Sequence, residues 1–473
     1  MIFSAGYGGV VGFCFVGNED CSEDWFEKMS KPMISVAGIR GIVGGSLVVE
    51  EFLKYVLAFA TIMEGGPVVL GCDSRVSRHM MRHLAFAGLE SAGCTIYDIG
   101  LAPTPTVGMM ITRLGARGGI AVTASHNPAE WNAYKFFDRH GSFLNHEQNK
   151  TLLEIAENSA FRREEFNALG HVKKVDDAIA YHVELVTTNI DTSMVAAKGY
   201  RAVVDCVNGV GGIIMKPLLD RMGVAAEFLH VDVDSPFPRN PEPLPENLTE
   251  LGAKVRASGA DIGFALDPDA DRLAIVDETG RPIGEERTMV LAATAALETR
   301  RGPIVANLST TRALDDVAAK FDVPLYRTPI GEANVVARIR EAEALIGGEG
   351  NGGVIYPAVH TGRDAATGVA LVLSAMAAKG MKLSELNAET PDYAMVKTKF
   401  PLGKVKFADA AKRVQKALSD AVKINLEDGV KASFPNSWVH VRPSGTEPVV
   451  RIFAEAATEA EARALVERVN SAI

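Results

Sequence analysis

The 473-residue chain has little cysteine, no long apolar run and no surplus of positive charge. Its five cysteines, Cys14, Cys21, Cys72, Cys94 and Cys206, are odd in number and widely spaced, with no C-x-x-C pair. That argues against a disulfide framework and a structural zinc site, and fits a reducing, cytoplasmic setting. No stretch reaches the roughly 18–20 apolar residues of a membrane span. Lys and Arg number 49 against 59 Asp and Glu, giving a net charge of −10. An acidic chain is a poor binder of nucleic acid or of an anionic membrane, although a local basic pocket is still allowed. Apolar residues, at 47% against 23% charged, are ample for a core and exclude disorder as the main state.

What the chain does have is alternation. Short Val/Ile/Ala-rich runs alternate with longer amphipathic stretches, the pattern of parallel α/β units. The opening stretch MIFSAGYGGVVGFCFVG is apolar but broken by Gly, with no Lys or Arg before Lys28, so it lacks the basic start of a secretory signal. Residues 1–32 are expected to be a disordered leader, with the folded part opening at Met33. A weak internal repetition follows. Three times a buried-looking strand enters a polar loop and a helix, at 68–81, 201–214 and 303–319; each time a second strand follows, and then a third that runs into another polar loop. The spacing predicts α/β units over 33–172, 173–282 and 283–392, and a smaller α+β unit over 393–473, packed around a common cleft. In open α/β sheets, ligands sit at the carboxyl ends of the strands, so the three polar loops are expected to face one site.

Four loops carry chemistry. Thr123-Ala124-Ser125-His126-Asn127-Pro128 follows the strand-like GGIAV; a serine on a sharp turn there can be exposed as a nucleophile or phosphate carrier, or can be an ordinary Ser turn. A Ser–His hydrolase is disfavoured because adjacent residues rarely align for proton transfer and G-x-S-x-G is absent. In Asp267-Pro268-Asp269-Ala270-Asp271-Arg272, three carboxylates at alternate positions repel one another, and a divalent cation such as Mg²⁺ is the natural compensation for oxygen-only ligands. An EF-hand is the sharper rival, since Glu278 falls at its twelfth position, but Arg272 stands where Gly is needed and the flanks read as strands. Gly347-Gly348-Glu349-Gly350-Asn351-Gly352-Gly353 lets backbone approach a ligand, with Glu349 and Asn351 suited to sugar hydroxyls. Arg442-Pro443-Ser444-Gly445-Thr446-Glu447-Pro448, with Arg451 after it, forms an anion nest suited to a phosphate. Arg40, Asp73, Arg75, Ser77, Lys135, His360, Arg363 and Asp364 are weaker candidates, each more often a packing or surface residue. The sequons at Asn247 and Asn307 carry no weight in a cytoplasmic protein.

These four loops in this order resemble the α-D-phosphohexomutase family, from about Met33 to the C-terminus. TASHNP, DPDADR, GEGNGG and RPSGTEP look like its phosphoserine, metal, sugar and phosphate loops. The resemblance implies a four-domain architecture with three similar α/β domains and a smaller C-terminal one around a central cleft. It implies that hexose 6-phosphate and hexose 1-phosphate are interconverted through phosphorylated Ser125 and a hexose 1,6-bisphosphate. Asp267, Asp269 and Asp271 would hold Mg²⁺ against the oxygen of Ser125. Glu349 and Asn351 would hold sugar hydroxyls, and Arg442, Ser444, Gly445, Thr446 and Arg451 the phosphate that is not reacting. Lys135, His126 and Arg40 would be acid/base helpers, and Arg272 would face the transferring phosphate. The expected partner is a small sugar phosphate, with no nucleic acid and no membrane, in a monomer or homodimer. The usual FGTDGIRG start is here SVAGIRGIVG, so only Arg40 and its glycines carry over; Asn351 stands where many members have Ser, and Gly353 where some have His. Within the family, GEGNGGVIYP followed by HTGRDA is most similar to phosphoglucosamine mutases of the archaeal-like branch, with phosphomannomutase/phosphoglucomutase members as the alternative. The rivals from other classes are a Mg²⁺-dependent phosphatase, for which the D-x-D-x-[TV] motif is missing, and a non-catalytic sugar-phosphate or calcium-binding module.

Overall fold

The structure, a computed structural model, describes residues 32–35, 38–401, 405–444 and 449–473. The expected leader, except Pro32, lies outside the described residues, as do Gly445 and Thr446 of the phosphate loop. No helix among the described residues is long and apolar enough to cross a membrane.

Among the described residues, four sheets account for the strands. The second runs in the order Leu273–Asp277, Ile262–Leu266, Arg201–Asp205, Ala225–Leu229, and the third in the order Leu325–Thr328, Ile304–Asn307, Ile346–Glu349, Gly353–Ile355. The centre of the first sheet is Trp131–Phe137, Gly118–Val122, Val68–Cys72, Thr95–Leu101. In each, the first three strands in sequence are parallel, the first of them central, and the fourth returns antiparallel beside the third. The repetition read in the sequence is therefore a threefold repeat of one topology. The first and third strands of each unit, such as Val68–Cys72, Gly118–Val122 and Ile262–Leu266, are near-continuous apolar runs because both of their faces are covered.

The repeat extends to local chemistry. At the end of the first strand of each unit, or one residue past it, stands an Asx residue whose side chain accepts the backbone N–H two residues on: Arg75 to Asp73 at 3.0 Å, Val207 to Asp205 at 3.0 Å, and Ser309 to Asn307 at 2.9 Å. Such a turn closes the strand and aims the next residues off the sheet's carboxyl edge. The loop joining the third and fourth strands turns each time at a left-handed residue, Ser125 (φ 50), Ala270 (φ 52) and Gly352 (φ 85). The phosphoserine, metal and sugar loops of the sequence reading are these three equivalent loops.

The first sheet is longer than the repeat. Gly38–Ile42 and Met33–Ser35 extend it beyond Trp131–Phe137, and His171–Lys174 adds in parallel beside Thr95–Leu101. That last strand straddles the boundary expected at 172, because its pairing partner belongs to the first sheet. The fourth sheet is antiparallel throughout, in the order Ala394–Pro401, Val449–Ala456, Trp438–Pro443, Val430–Ser433, Lys423–Asn425. Helices Phe407–Ala417 and Glu459–Asn470 cover it, and Thr458 caps the second of them in a capping box with Glu461.

The second and third sheets share one core. Helices Glu285–Thr299 and Ala365–Lys379 lie between them, each buried along most of its length, and side chains from Val183 to Leu386 join one cluster. A helix apolar all round is what such a position demands. The first and fourth sheets keep clusters of their own. A fully buried His182 stitches the first unit to the other two: one ring nitrogen lies 2.8 Å from Thr106 Oγ1 and the other 3.0 Å from Asp364 Oδ2. Asp364 also caps the helix Ala365–Lys379 through the N–H groups of Ala366 and Thr367. Four of the glycines serve helix ends rather than loops over the cleft: Gly115, Gly223, Gly259 and Gly380 are left-handed caps.

Candidate active site

The carboxyl edges of the three repeats and one face of the fourth sheet enclose a cleft of about 1220 Å³. Arg40 and His126 line it from the first unit, Arg272 from the second, Glu349 and Asn351 from the third, Arg442 and Arg451 from the fourth. Ser125, Lys135 and the three aspartates are buried behind that wall.

Ser125 follows the strand Gly118–Val122 and sits in a left-handed backbone conformation, which a non-glycine residue keeps only when its surroundings hold it there. Arg75 does the holding. Its side chain donates to the carbonyls of Ser125 (2.6 Å), Asn127 (2.6 Å), Pro128 (2.6 Å) and Trp131 (3.0 Å), and to Asp73 Oδ2 (3.1 Å). All five guanidinium donors are used. Thr123 Oγ1 also donates to Asp73 Oδ2 (2.6 Å) and accepts the N–H of Ser125 (2.9 Å). Arg75→Met would leave Asp73 buried without a counter-ion, a change that costs about 3–5 kcal/mol. A correspondingly lower thermal midpoint is expected, and an unchanged midpoint would mean that Arg75 does not support the loop.

Ser125 Oγ donates to Asp267 Oδ2 at 2.8 Å. One ligand oxygen from each of Asp267, Asp269 and Asp271 lies within 4.8 Å of the others, and all three residues are buried. The loop folds this way because Asp267 Oδ1 accepts the N–H groups of Asp271 (3.2 Å) and Arg272 (3.1 Å). Asp269 Oδ1 and Asp271 Oδ1 are buried with no protein hydrogen-bond partner. Buried carboxylate oxygens without partners are costly, and a divalent cation is the ligand this oxygen donor set fits. Burial, then the charges of Asp269 and Asp271, push the Asp267 carboxyl well above its usual range. Burial would raise Asp269 too, but the Lys135 ammonium overrides it and holds that carboxyl below its usual range. The flanks of the loop are strands, and Glu278, which an EF-hand would need, accepts hydrogen bonds from Ser384 instead.

The basic side chains divide by position. Lys135 Nζ lies 2.6 Å from Asp269 Oδ2 and 3.4 Å from Asp271 Oδ2; burial opposes its charge, but the two carboxylates outweigh it and keep it cationic. Arg272 meets Glu242 at 3.2 Å. Arg40 donates to Asn127 Oδ1 at 3.2 Å. Burial, then Arg272 and Arg40, hold the His126 imidazole well below its usual range, so it is neutral near pH 7, and its Nδ1 is buried without a partner.

Glu349 accepts from Asn307 Nδ2 (3.0 Å) and the N–H of Gly331 (3.2 Å) on one oxygen, and from Arg363 (3.0 Å) on the other. Asn351 lines the cleft, its side-chain oxygen accepting the N–H of Gly353 at 3.2 Å. A Cβ on Gly350 would stand 2.0 Å from the Glu286 carboxylate, so that side chain would have to shift to admit one. Across the cleft, Lys399, Arg451 and Arg442 are direct cross-strand neighbours on three adjacent strands, and all three line the wall. Like charges so placed destabilise a sheet unless an anion sits against them. Asp428, 3.0 Å from Arg442, supplies part of that. Ser444 donates its N–H to Val449 at the turn.

Several of these residues carried little or no signal in the sequence. Arg75 and Arg363 were weak candidates because their partners lie far along the chain. Lys399 becomes visible only through register, and Asn307, set aside as a sequon, supports Glu349. The loop after the first strand of each repeat was the available clue, since it reaches the same sheet edge.

Comparison with known proteins places the chain among relatives over almost its whole described length. Models described as phosphoglucomutase/phosphomannomutase match in order: alpha/beta/alpha domain I over residues 33–163, domain II over 180–280, domain III over 284–393 and the C-terminal domain over 396–472. A phosphoglucomutase/phosphomannomutase of Thermococcus kodakarensis is 38% identical, the match covering 91% of this chain and 96% of that one. A probable phosphoglucosamine mutase of Methanopyrus kandleri is 36% identical over 91% and 95%. A crystal structure of a phosphoglucomutase/phosphomannomutase family protein from Burkholderia thailandensis superposes with a TM-score of 0.82 at 25% identity, covering 94% of this chain and 97% of that one.

Proposed function

The chain belongs to the phosphoglucomutase/phosphomannomutase family, and on that premise we propose that it interconverts hexose 6-phosphate and hexose 1-phosphate by way of a phosphoryl group on Ser125, with glucosamine phosphate as the preferred sugar. The observation that carries the reading is Ser125 Oγ at 2.8 Å from an aspartate trio whose Asp269 and Asp271 each keep a buried oxygen without a partner.

The trio and the Ser125 oxygen would hold Mg²⁺, which supplies charge neutralisation on the transferring phosphoryl group. In the forward half-reaction the P–O bond at Ser125 Oγ breaks and a new P–O bond forms at a sugar hydroxyl. The hydroxyl's proton goes to a base, for which the neutral His126 Nδ1 is suited. The Ser125 alkoxide that leaves takes up a proton from solvent while His126 gives its own back to solvent, so no proton is gained or lost, and Ser125 Oγ recovers its hydrogen bond to Asp267. Lys135 stays cationic beside Asp269 and, with Arg272, offsets charge that the transfer develops. The resulting hexose 1,6-bisphosphate turns over within the cleft and returns its other phosphoryl group to Ser125. The cationic row Lys399, Arg451, Arg442, with Ser444 and, next in the sequence, Gly445 and Thr446, would hold the distal phosphate in either orientation; Glu349 and Asn351 would hold the hydroxyls. One chain carries all these groups, so a monomer suffices.

Intact-mass measurement of the purified protein is expected to find a form heavier by one phosphoryl group, mapping to Ser125. Absence of that form, together with no conversion of hexose phosphates, would favour a binding module. A second reading, a phosphomannomutase/phosphoglucomutase, is favoured by the name of the Thermococcus relative. kcat/KM on glucosamine, mannose and glucose 6-phosphates separates the two.

A further inference from the structure

We propose that Glu332 determines sugar specificity, supplying a negative charge that selects a hexose phosphate with a protonated amine over a neutral one. The inference rests on the mutase reading above and adds to it the residue that recognises the amine.

Several carboxylates line the cleft, and most are committed. Glu130 is exposed at the rim. Glu242 meets Arg272 at 3.2 Å. Glu285 and Glu286 share Lys397 at 2.7 and 2.9 Å, and Glu286 also accepts the N–H of Thr311. Glu349 uses both oxygens on Asn307, Gly331 and Arg363.

Glu332 differs. Among the described residues its carboxylate meets one partner, Arg363, through that residue's N–H (3.3 Å) and Nε (2.9 Å). The same guanidinium serves Glu349 at 3.0 Å and Asp271 at 2.7 Å. Three carboxylates therefore share one cation. Asp271 belongs to the aspartate trio that the proposed cation and Lys135, 3.4 Å away, would offset, so Arg363 is left to Glu332 and Glu349, and that pair, when ionised, retains about one negative charge. That surplus faces the cleft beside the sugar loop, since Gly331, the residue before Glu332, donates to Glu349. Glu332 opens the helix Glu332–Glu341, and a helix N-terminus favours an acid there; that accounts for an acid but not for its burial against an already shared guanidinium. Burial pushes its carboxyl up to about 7, so an ammonium bound beside it would both relieve the cost of burial and complete its ionisation. A neutral hexose needs acceptors at this place, not net charge.

The test compares kcat/KM on glucosamine 6-phosphate with that on glucose 6-phosphate for the wild type, Glu332→Gln and Glu332→Asp. The wild type is expected to prefer the amino sugar. Glu332→Gln should lower that ratio by roughly 10- to 100-fold, as loss of a charge-assisted contact does, while Glu332→Asp keeps part of it. An equal fall on both sugars would mean a structural role and overturn the inference, as would an unchanged ratio. Should Glu332→Gln not fold, the wild type alone decides: N-acetylglucosamine 6-phosphate, which lacks the charge, must be much the poorer substrate, and parity with glucosamine 6-phosphate overturns the inference. A wild type that prefers glucose 6-phosphate sinks the inference but leaves the mutase reading intact; one that converts no hexose phosphate removes both.

Discussion

Replacing Ser125 with Ala is expected to lower turnover on the order of 10⁴-fold or more, even with hexose 1,6-bisphosphate supplied. Removing a nucleophile on which the other groups converge forfeits nearly all of their contribution. Substitution keeps the fold, because the loop is held by Arg75 through carbonyl oxygens and by Thr123 through the backbone N–H, none of which uses the Ser125 hydroxyl. A coupled assay following hexose 1-phosphate consumption, with thermal unfolding alongside, checks both statements. Wild-type turnover by Ser125→Ala would rule out the phosphoserine.

The second large effect is expected at Asp267. Asp267→Asn should lower kcat roughly 10²–10³-fold, since one of three charged ligands is lost and the metal's contribution to such transfers is several kcal/mol. In metal-free protein the same change should hold or raise stability. The Asp267 carboxyl is pushed up by burial and by its two neighbours, and an acid whose pKa rises on folding costs stability once pH climbs above its unfolded value. The gain from Asn therefore appears above the ordinary carboxylate range and fades in acid. Chelation should silence the wild type, and added Mg²⁺ should restore it. Calorimetry of the metal-free pair at neutral and acid pH is the independent readout; a strongly destabilised variant would mean that Asp267 serves the fold and not a cation.

Much of this was legible in the sequence, for identifiable reasons. The aspartate loop declares itself because carboxylates at alternate positions in a tight turn have no comfortable structure without a cation. The threefold repeat is legible because strands buried on both faces stay apolar throughout. Other parts could not be read. The Lys399–Arg451–Arg442 row exists only once three strands pair in one register. Arg75 reaches carbonyls some fifty residues away, and the backbone advertises no side-chain preference. Arg363 meets Asp271 only after loops from two units converge, and it meets Glu332 and Glu349 only once the third unit has folded.

The core shared by the second and third sheets sets how the molecule comes apart. Helices Glu285–Thr299 and Ala365–Lys379 belong to neither sheet alone, so neither can melt while the other persists. Those two units should behave as a single cooperative block, whereas the fourth sheet, with its own smaller cluster, can open first. Heating would then release the phosphate-holding row before it disturbs the loops that carry the phosphoryl group and the metal. Loss of sugar-phosphate affinity would precede loss of the metal site, and one melting temperature would not describe the protein.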